Sequence, residues 1–380
     1  MKINRFLKIN ICLIGLTLLF VIIFTSVKSK WLESTIVSKW LREFNTEALV
    51  YAIGSQNSYF TQALPQESEP PELSSIFIQL ATNIRPGDIR SLFGNELPGF
   101  AIYDAEIYLA SKGTSYATLP IESTPPIEEI METAEPTEEN KKILQENEDR
   151  HKNPTPKQNT KGKQVIHIYH SHSYEAYKPL SKNGTYNSSN PSTNIIAIGD
   201  VLKKDLEERG IGVSHDTSNI GETLKNKNWG TGKAYTAARE NVVKTISNNK
   251  DIQYLIDMHR DSQPRHVTTI EIDGKTYARL FLVVGKEHPG YEKNLILAES
   301  LYNRINEKYP SLCRGVVIKG KNEGNGVYNQ DLSTNSMLIE MGGIDNNLEE
   351  LMNTSEAFAD VFSEQYWDAE KVNATQENSE

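Results

Sequence analysis

Three short stretches of this 380-residue chain carry the residue types that metal-ion catalysis requires: His170-Ser171-His172-Ser173-Tyr174-Glu175, Asp257-Met258-His259-Arg260-Asp261 and Glu340-Met341-Gly342-Gly343. A catalytic zinc site uses three nitrogen or oxygen ligands and keeps a fourth position for water, whose pKa the ion lowers towards neutrality. His172, Glu175 and His259 supply such a set, because two neutral imidazoles and one carboxylate leave the ion enough positive charge to polarise a scissile carbonyl. Glu340 is then the spare carboxylate, able to take a proton from the water and pass it to a departing amine. Arg260, or Arg239 on the preceding helix, can balance charge on the tetrahedral intermediate.

Each of these residues also has a plainer reading. His-x-His alone is more often a surface or hydrogen-bonded pair than a pair of ligands. His259 can be a structural histidine held by Asp257 or Asp261, and the same aspartates can equally orient a metal-bound imidazole. Glu340 follows an apolar run, where an unpaired carboxylate is costly to bury, so a functional or paired group is favoured there. His151, His167, His215, His266 and His288 have no comparable setting and read as ordinary. Tyr328-Asn329-Gln330-Asp331, on a loop before the last strand, is a candidate for contacting substrate.

The elements that must hold these groups alternate between strand and helix from Lys163 onward. Gln164 to Tyr169, Ile211 to His215, Gln253 to His259, Gly315 to Ile318 and Ser336 to Met341 have strand patterns. Thr268 to Val284 reads as two strands joined at Asp273-Gly274, a strong hairpin signal. Asn194 to Arg209, Thr236 to Ser247, Leu295 to Lys308 and Leu348 to Trp367 have helical apolar spacing. The expected fold is therefore an α/β layer with a mostly parallel sheet flanked by helices, whose ligand sites lie beyond the carboxyl ends of the strands. His172, His259 and Glu340 all follow or close such strands, which is what lets distant parts of the chain converge.

The remainder sets the address. No charged side chain occurs from Ile9 to Val27, and Lys2, Arg5 and Lys8 precede this run, as expected of a membrane-spanning helix with a cytoplasmic N-terminus. A cleaved signal peptide is the competing reading, but no small-x-small site precedes Trp31. Residues 31 to 118 form a mixed extracytoplasmic region in which Ile102 to Ala110 alternates like a strand. Residues 119 to 162, with six prolines among many Glu, Lys and Asn, read as an acidic disordered linker, residues 163 to 368 as the catalytic domain and 369 to 380 as a disordered tail. The exported part contains Cys313 alone, so it forms no internal disulfide. A formal charge of -10 argues against a general nucleic-acid binder.

Taken together, these stretches, with Gly199 and Leu202, Arg209-Gly210-Ile211-Gly212-Val213, Tyr328-Asn329-Gln330-Asp331-Leu332 and Leu338-Ile339-Glu340-Met341-Gly342-Gly343, resemble the stage II sporulation protein P family. Arg85-Pro86-Gly87-Asp88-Ile89-Arg90 and Glu96-Leu97-Pro98-Gly99-Phe100, further towards the N-terminus, extend that resemblance. The resemblance implies a peptidoglycan hydrolase with N-acetylmuramoyl-L-alanine amidase and endopeptidase activity, acting at the sporulation septum and in engulfment with the stage II sporulation proteins D and M. The chain is also similar to the broader zinc amidase family, whose two histidines and late glutamate correspond to His172, His259 and Glu340. It departs at the remaining ligand: the broader family opens its first long helix with a metal-binding glutamate, whereas this chain has Asn194 there. Glu175 is the substitute, with Glu240 and His170 as alternatives. A non-catalytic wall-binding septal scaffold is the alternative function.

Overall fold

The strand and helix alternation expected from Lys163 onward is what the chain forms, in a computed structural model that describes residues 105–377 apart from 123–124, 151–155, 157 and 322–323. The expected membrane span and most of the region at 31 to 118 lie outside the described residues. Among the described residues, no helix is long and apolar enough to cross a membrane.

Among the described residues, nine strands and six longer helices build the unit. They are β1 (Glu106–Ala110), α1 (Glu138–Arg150), β2 (Gln164–Tyr169), α2 (Ile195–Glu208), β3 (Gly212–His215), α3 (Ile220–Asn226), α4 (Ala234–Asn248) and β4 (Tyr254–Asp261). After them come β5 (Thr269–Ile272), β6 (Lys275–Ala278), β7 (Leu280–Gly285), α5 (Tyr291–Lys308), β8 (Cys313–Lys319), β9 (Ser336–Gly343) and α6 (Leu348–Glu377). Seven strands form one sheet in the order β1-β8-β7-β9-β4-β2-β3. Pairs β2/β3, β2/β4, β4/β9 and β7/β8 are parallel, while β1/β8 and β7/β9 are antiparallel, so the sheet is mostly parallel as expected.

The period of two along each strand decides which core each side chain joins. Ile256 and Met258 of β4, Leu280, Leu282 and Val284 of β7, and Met337, Ile339 and Met341 of β9 pack with α2, α5 and α6. Their alternates face the other way. There Leu255 meets Ile220 and Leu224 of α3 and Ala237, Ala238 and Val242 of α4, and Phe281, Val283 and Leu338 meet Leu119, Tyr235 and Tyr328. Both faces are covered, which is why these strands read as nearly continuous apolar runs.

Several boundaries differ from the sequence expectation. Asp273 and Gly274 do make a two-residue hairpin turn, at φ of 52° and 76°, but it joins only β5 to β6. The apolar run breaks at Arg279, and β7 leaves the hairpin for the main sheet. The C-terminal tail stays helical to Glu377, because no glycine or proline interrupts the good helix formers after Trp367.

The expected linker is the larger correction. β1 is the edge strand of the main sheet, and Leu119, Ile130 and Ala134 are buried, while α1 occupies 138 to 150. Burying a Leu or Ile contributes about 1.5–3 kcal/mol, against an ordering cost of about 1–2 kcal/mol per residue, so these few side chains alone would leave the segment loose. Hydrogen bonds from the rest of the domain also hold the segment's start. Arg314 donates to Thr118 O at 2.8 Å, Gln263 to Leu119 O at 2.9 Å and Lys319 to Pro120 O at 3.3 Å. The segment's own composition reports none of these anchors, because they belong to β8 and the turn after β4.

Candidate metal centre

β2 ends at Tyr169 and the chain turns through His170–Tyr174 before Glu175 pairs with Asn187 and Ala176 with Asn194. Asp257 of β4 ties that turn to the strand, alongside the His170 ring bonded to Met258 O. Asp257 accepts from the Ser171 backbone N–H at 2.8 Å and from the Ser171 hydroxyl at 2.6 Å. The same carboxylate lies 3.1 Å from His259 Nε2. His259 and Glu340 are directly opposite each other on the parallel neighbours β4 and β9, so they share a sheet face.

The result is a buried cluster of His172, Glu175 and His259 whose ligand atoms all lie within 4.8 Å of one another. His172 Nδ1 is 3.2 Å from Glu175 Oε1, and His259 Nδ1 is 3.5 Å from Glu175 Oε2. Donors at zinc bond lengths sit about 3.4 Å apart around a tetrahedron, so the spacing suits one small ion. Neither ring nitrogen of His259 has a well-aligned hydrogen bond, and Glu340 Oε2 is buried without a partner. Buried polar atoms of this kind normally have partners, and a cation held by these donors would account for the imidazole. The residues present therefore fit zinc.

Electrostatics point the same way. Burial alone would push the His259 imidazole towards neutrality, but the carboxylates of Asp257 and Glu175 outweigh it and hold the pKa well above the ordinary value. Burial raises the Glu175 carboxyl, yet His259 and His172 overcome that and pull it down. The cluster thus demands positive charge. Glu340 behaves in the opposite sense: burial, helped by Glu175 and Asp261, pushes it up to about 8 against the pull of His259. A carboxyl group in that range can both accept and return a proton near neutral pH.

The remaining sequence candidates separate clearly. Asn194 caps α2, its side chain accepting from Ile196 N at 3.0 Å, and Glu175 comes from the segment bridged beside it. Glu240 is half exposed and ion-paired with Lys227. His170 is spent on Met258 O at 3.0 Å and on His215 Nε2 at 2.8 Å, so it does not join the cluster. Arg239 makes a two-pronged pair with Asp331 at 2.7 Å. The guanidinium of Arg260 is taken up by Tyr186 O at 2.9 Å, Ser262 Oγ at 3.2 Å and Asp261 O at 3.4 Å. It touches the cluster through its backbone instead, donating N–H to Glu175 Oε2 at 2.9 Å.

Comparison with known proteins agrees with the six ordered motifs. Residues 87–363 match the family model described as stage II sporulation protein P. The chain is also 41% identical over 334 residues to the stage II sporulation protein P of Bacillus subtilis (strain 168), covering 87% of this chain and 83% of that relative. The chain belongs to the stage II sporulation protein P family. Membership in that sporulation family covers β1 and the strap at 117 to 137 as well as the later sheet, in keeping with one folded unit.

Two contributors in this member of the stage II sporulation protein P family escaped the sequence. Tyr235, at the start of α4, sets its ring 5.1 Å from that of His172 and 5.8 Å from that of His259. Its hydroxyl donates to Glu122 Oε2 at 3.1 Å. Neither spacing nor residue type marks either one, since a helical tyrosine and a glutamate in an acidic stretch are both commonplace. Asp261, by contrast, lay in a quoted motif, and its role is now specific: it pairs with buried Arg314 and accepts from Ile121 N at 3.1 Å.

Proposed function

We propose that this protein is a zinc-dependent peptidoglycan hydrolase that cleaves the amide between the muramic-acid lactyl group and the first stem-peptide alanine, and also stem-peptide cross-links. The observation that carries it is the buried His172–Glu175–His259 cluster with Glu340 opposite His259 on the adjoining strand. Zinc held there supplies Lewis acidity and lowers the pKa of water. Glu340 takes one proton from the attacking water as the carbon–oxygen bond forms. It returns that proton to the amine nitrogen as the carbon–nitrogen bond breaks, so protons balance over the cycle. Asp257 holds His259 by its far nitrogen and keeps the ring aimed. The backbone N–H of Arg260 fixes Glu175.

In this reading the uncharged run at residues 9 to 27 is a single-pass anchor, the catalytic domain is extracytoplasmic, and the protein acts at the septum and in engulfment beside the stage II sporulation proteins D and M. Glu340→Gln should lower release of stem peptide from purified wall by about 10²–10⁴-fold while zinc content and melting midpoint hold. His259→Ala should lose the zinc, measured by elemental mass spectrometry. Wild-type hydrolysis by Glu340→Gln would overturn the assignment.

A further inference from the structure

The cluster is shut away: His172 is 3% exposed, Glu175 2%, His259 1% and Glu340 2%. A centre that acts on a polymer must admit its substrate to the open coordination position, so part of the cover has to move. Two tyrosine rings cover the imidazoles: Tyr174, from the turn itself, lies 5.6 Å from the His172 ring, and Tyr235 is edge-on to His172 at 61° and nearly parallel to His259 at 23°. Tyr328 backs Tyr235 edge-on, with ring centroids 5.3 Å apart. What holds the Tyr235 ring down at its far end is Glu122.

Anchorage along the strap that carries Glu122 is uneven. Up to Ile121 the strap is fixed through Leu119, which is fully buried, and through the bonds from Arg314, Gln263 and Lys319 and the Ile121 N–H to Asp261. Glu122 is held more lightly. Its carboxylate retains some exposure, and its second partner, Lys319 Nζ, stands off at 3.7 Å, beyond hydrogen-bond reach. Glu122 can therefore let go of Tyr235 while residues 118 to 121 stay in place.

We propose that Glu122 and Tyr235 form a latch that closes the metal centre, and that substrate enters when the Tyr235 ring turns aside from the imidazoles. The polymer as occupant rests on the hydrolase reading; the closure itself does not. The test uses the full chain freed of metal. The rate at which diethylpyrocarbonate modifies His172 is followed by peptide mass spectrometry in wild type, Glu122→Ala, Glu122→Gln and Tyr235→Phe, with buried His167 as the internal control.

Loss of a hydrogen bond to a charged acceptor is worth about tenfold in such an opening equilibrium. Glu122→Ala and Tyr235→Phe should each speed His172 modification by that order while His167 and the melting midpoint stay as in wild type. Glu122→Gln, which can still accept from the hydroxyl, should fall between. Unchanged His172 rates in both Glu122→Ala and Tyr235→Phe, or an equal rise at His167 showing general loosening, would overturn the latch. In parallel, the zinc-loaded chain is assayed on purified peptidoglycan. Faster hydrolysis by Glu122→Ala supports both proposals, whereas faster His172 modification with no hydrolysis by any form sinks the hydrolase reading and leaves the latch standing.

Discussion

Asp257 makes more of the centre than its place in an aspartate-histidine motif suggests. Two bonds to Ser171 and one contact with His259 Nε2 mean that this single carboxylate joins the turn bearing His172 to the strand bearing His259. Asp257→Asn keeps the shape but weakens the partner of the imidazole, so zinc affinity should drop about 10–100-fold, read by competition with a chromogenic chelator; undiminished affinity would show that Ser171 alone holds the turn. His167, read from the sequence as ordinary, has a thermodynamic role instead. Burial lowers its pKa from 6.5 to about 4. Below 6.5 the unfolded chain takes up a proton that the folded chain refuses, so this residue makes stability fall as pH drops towards about 4, by up to about 1.4 kcal/mol per unit. His167→Gln should show a shallower loss of melting midpoint between those pH values than wild type.

At the scale of elements, β1 and the strap behave as parts of the sheet domain, and this sets where a stable fragment can begin. Starting at Lys163 removes the partner of β8 and strips Thr118 O from Arg314, Pro120 O from Lys319 and Ile121 N–H from Asp261. Buried polar groups left without partners cost about 1–3 kcal/mol each. For a domain of this size the sum corresponds to a melting midpoint lower by about 10 °C or more than in a fragment beginning at Phe93. Equal midpoints in scanning calorimetry would show that the strap is only laid against the domain. α2 shows a comparable dependence: a side chain at Gly199 would meet His215 Nε2 at 2.6 Å and His170 Nε2 at 2.7 Å, so the helix can dock only with glycine there.

For the whole molecule, the uncharged run from Ile9 to Val27 carries a testable expectation, that the chain is anchored in a membrane. After lysis and a high-salt wash, the full chain should stay in the membrane pellet, and a chain lacking residues 1 to 30 should appear in the supernatant. Full chain in the supernatant would remove the anchor.

His172, His259 and Glu340, with Glu175 among three candidates for the remaining ligand, were legible from the sequence because metal chemistry restricts residue types severely and because strands of period two deliver their ends to one edge of a parallel sheet. Local pattern also located α2, α4, α5 and the start of α6, though not α1 or α3, and it found the Asp273-Gly274 turn, whose conformation depends on only two residues. The choice of Glu175 over His170 and Glu240 required tertiary structure, since a ligand set is defined by distances between residues far apart in sequence. So did the folding of residues 119–122 and 125–150. Whether a polar segment folds depends on what the rest of the molecule offers it, and here Arg314, Gln263 and Lys319 offer donors that no local count of apolar residues contains.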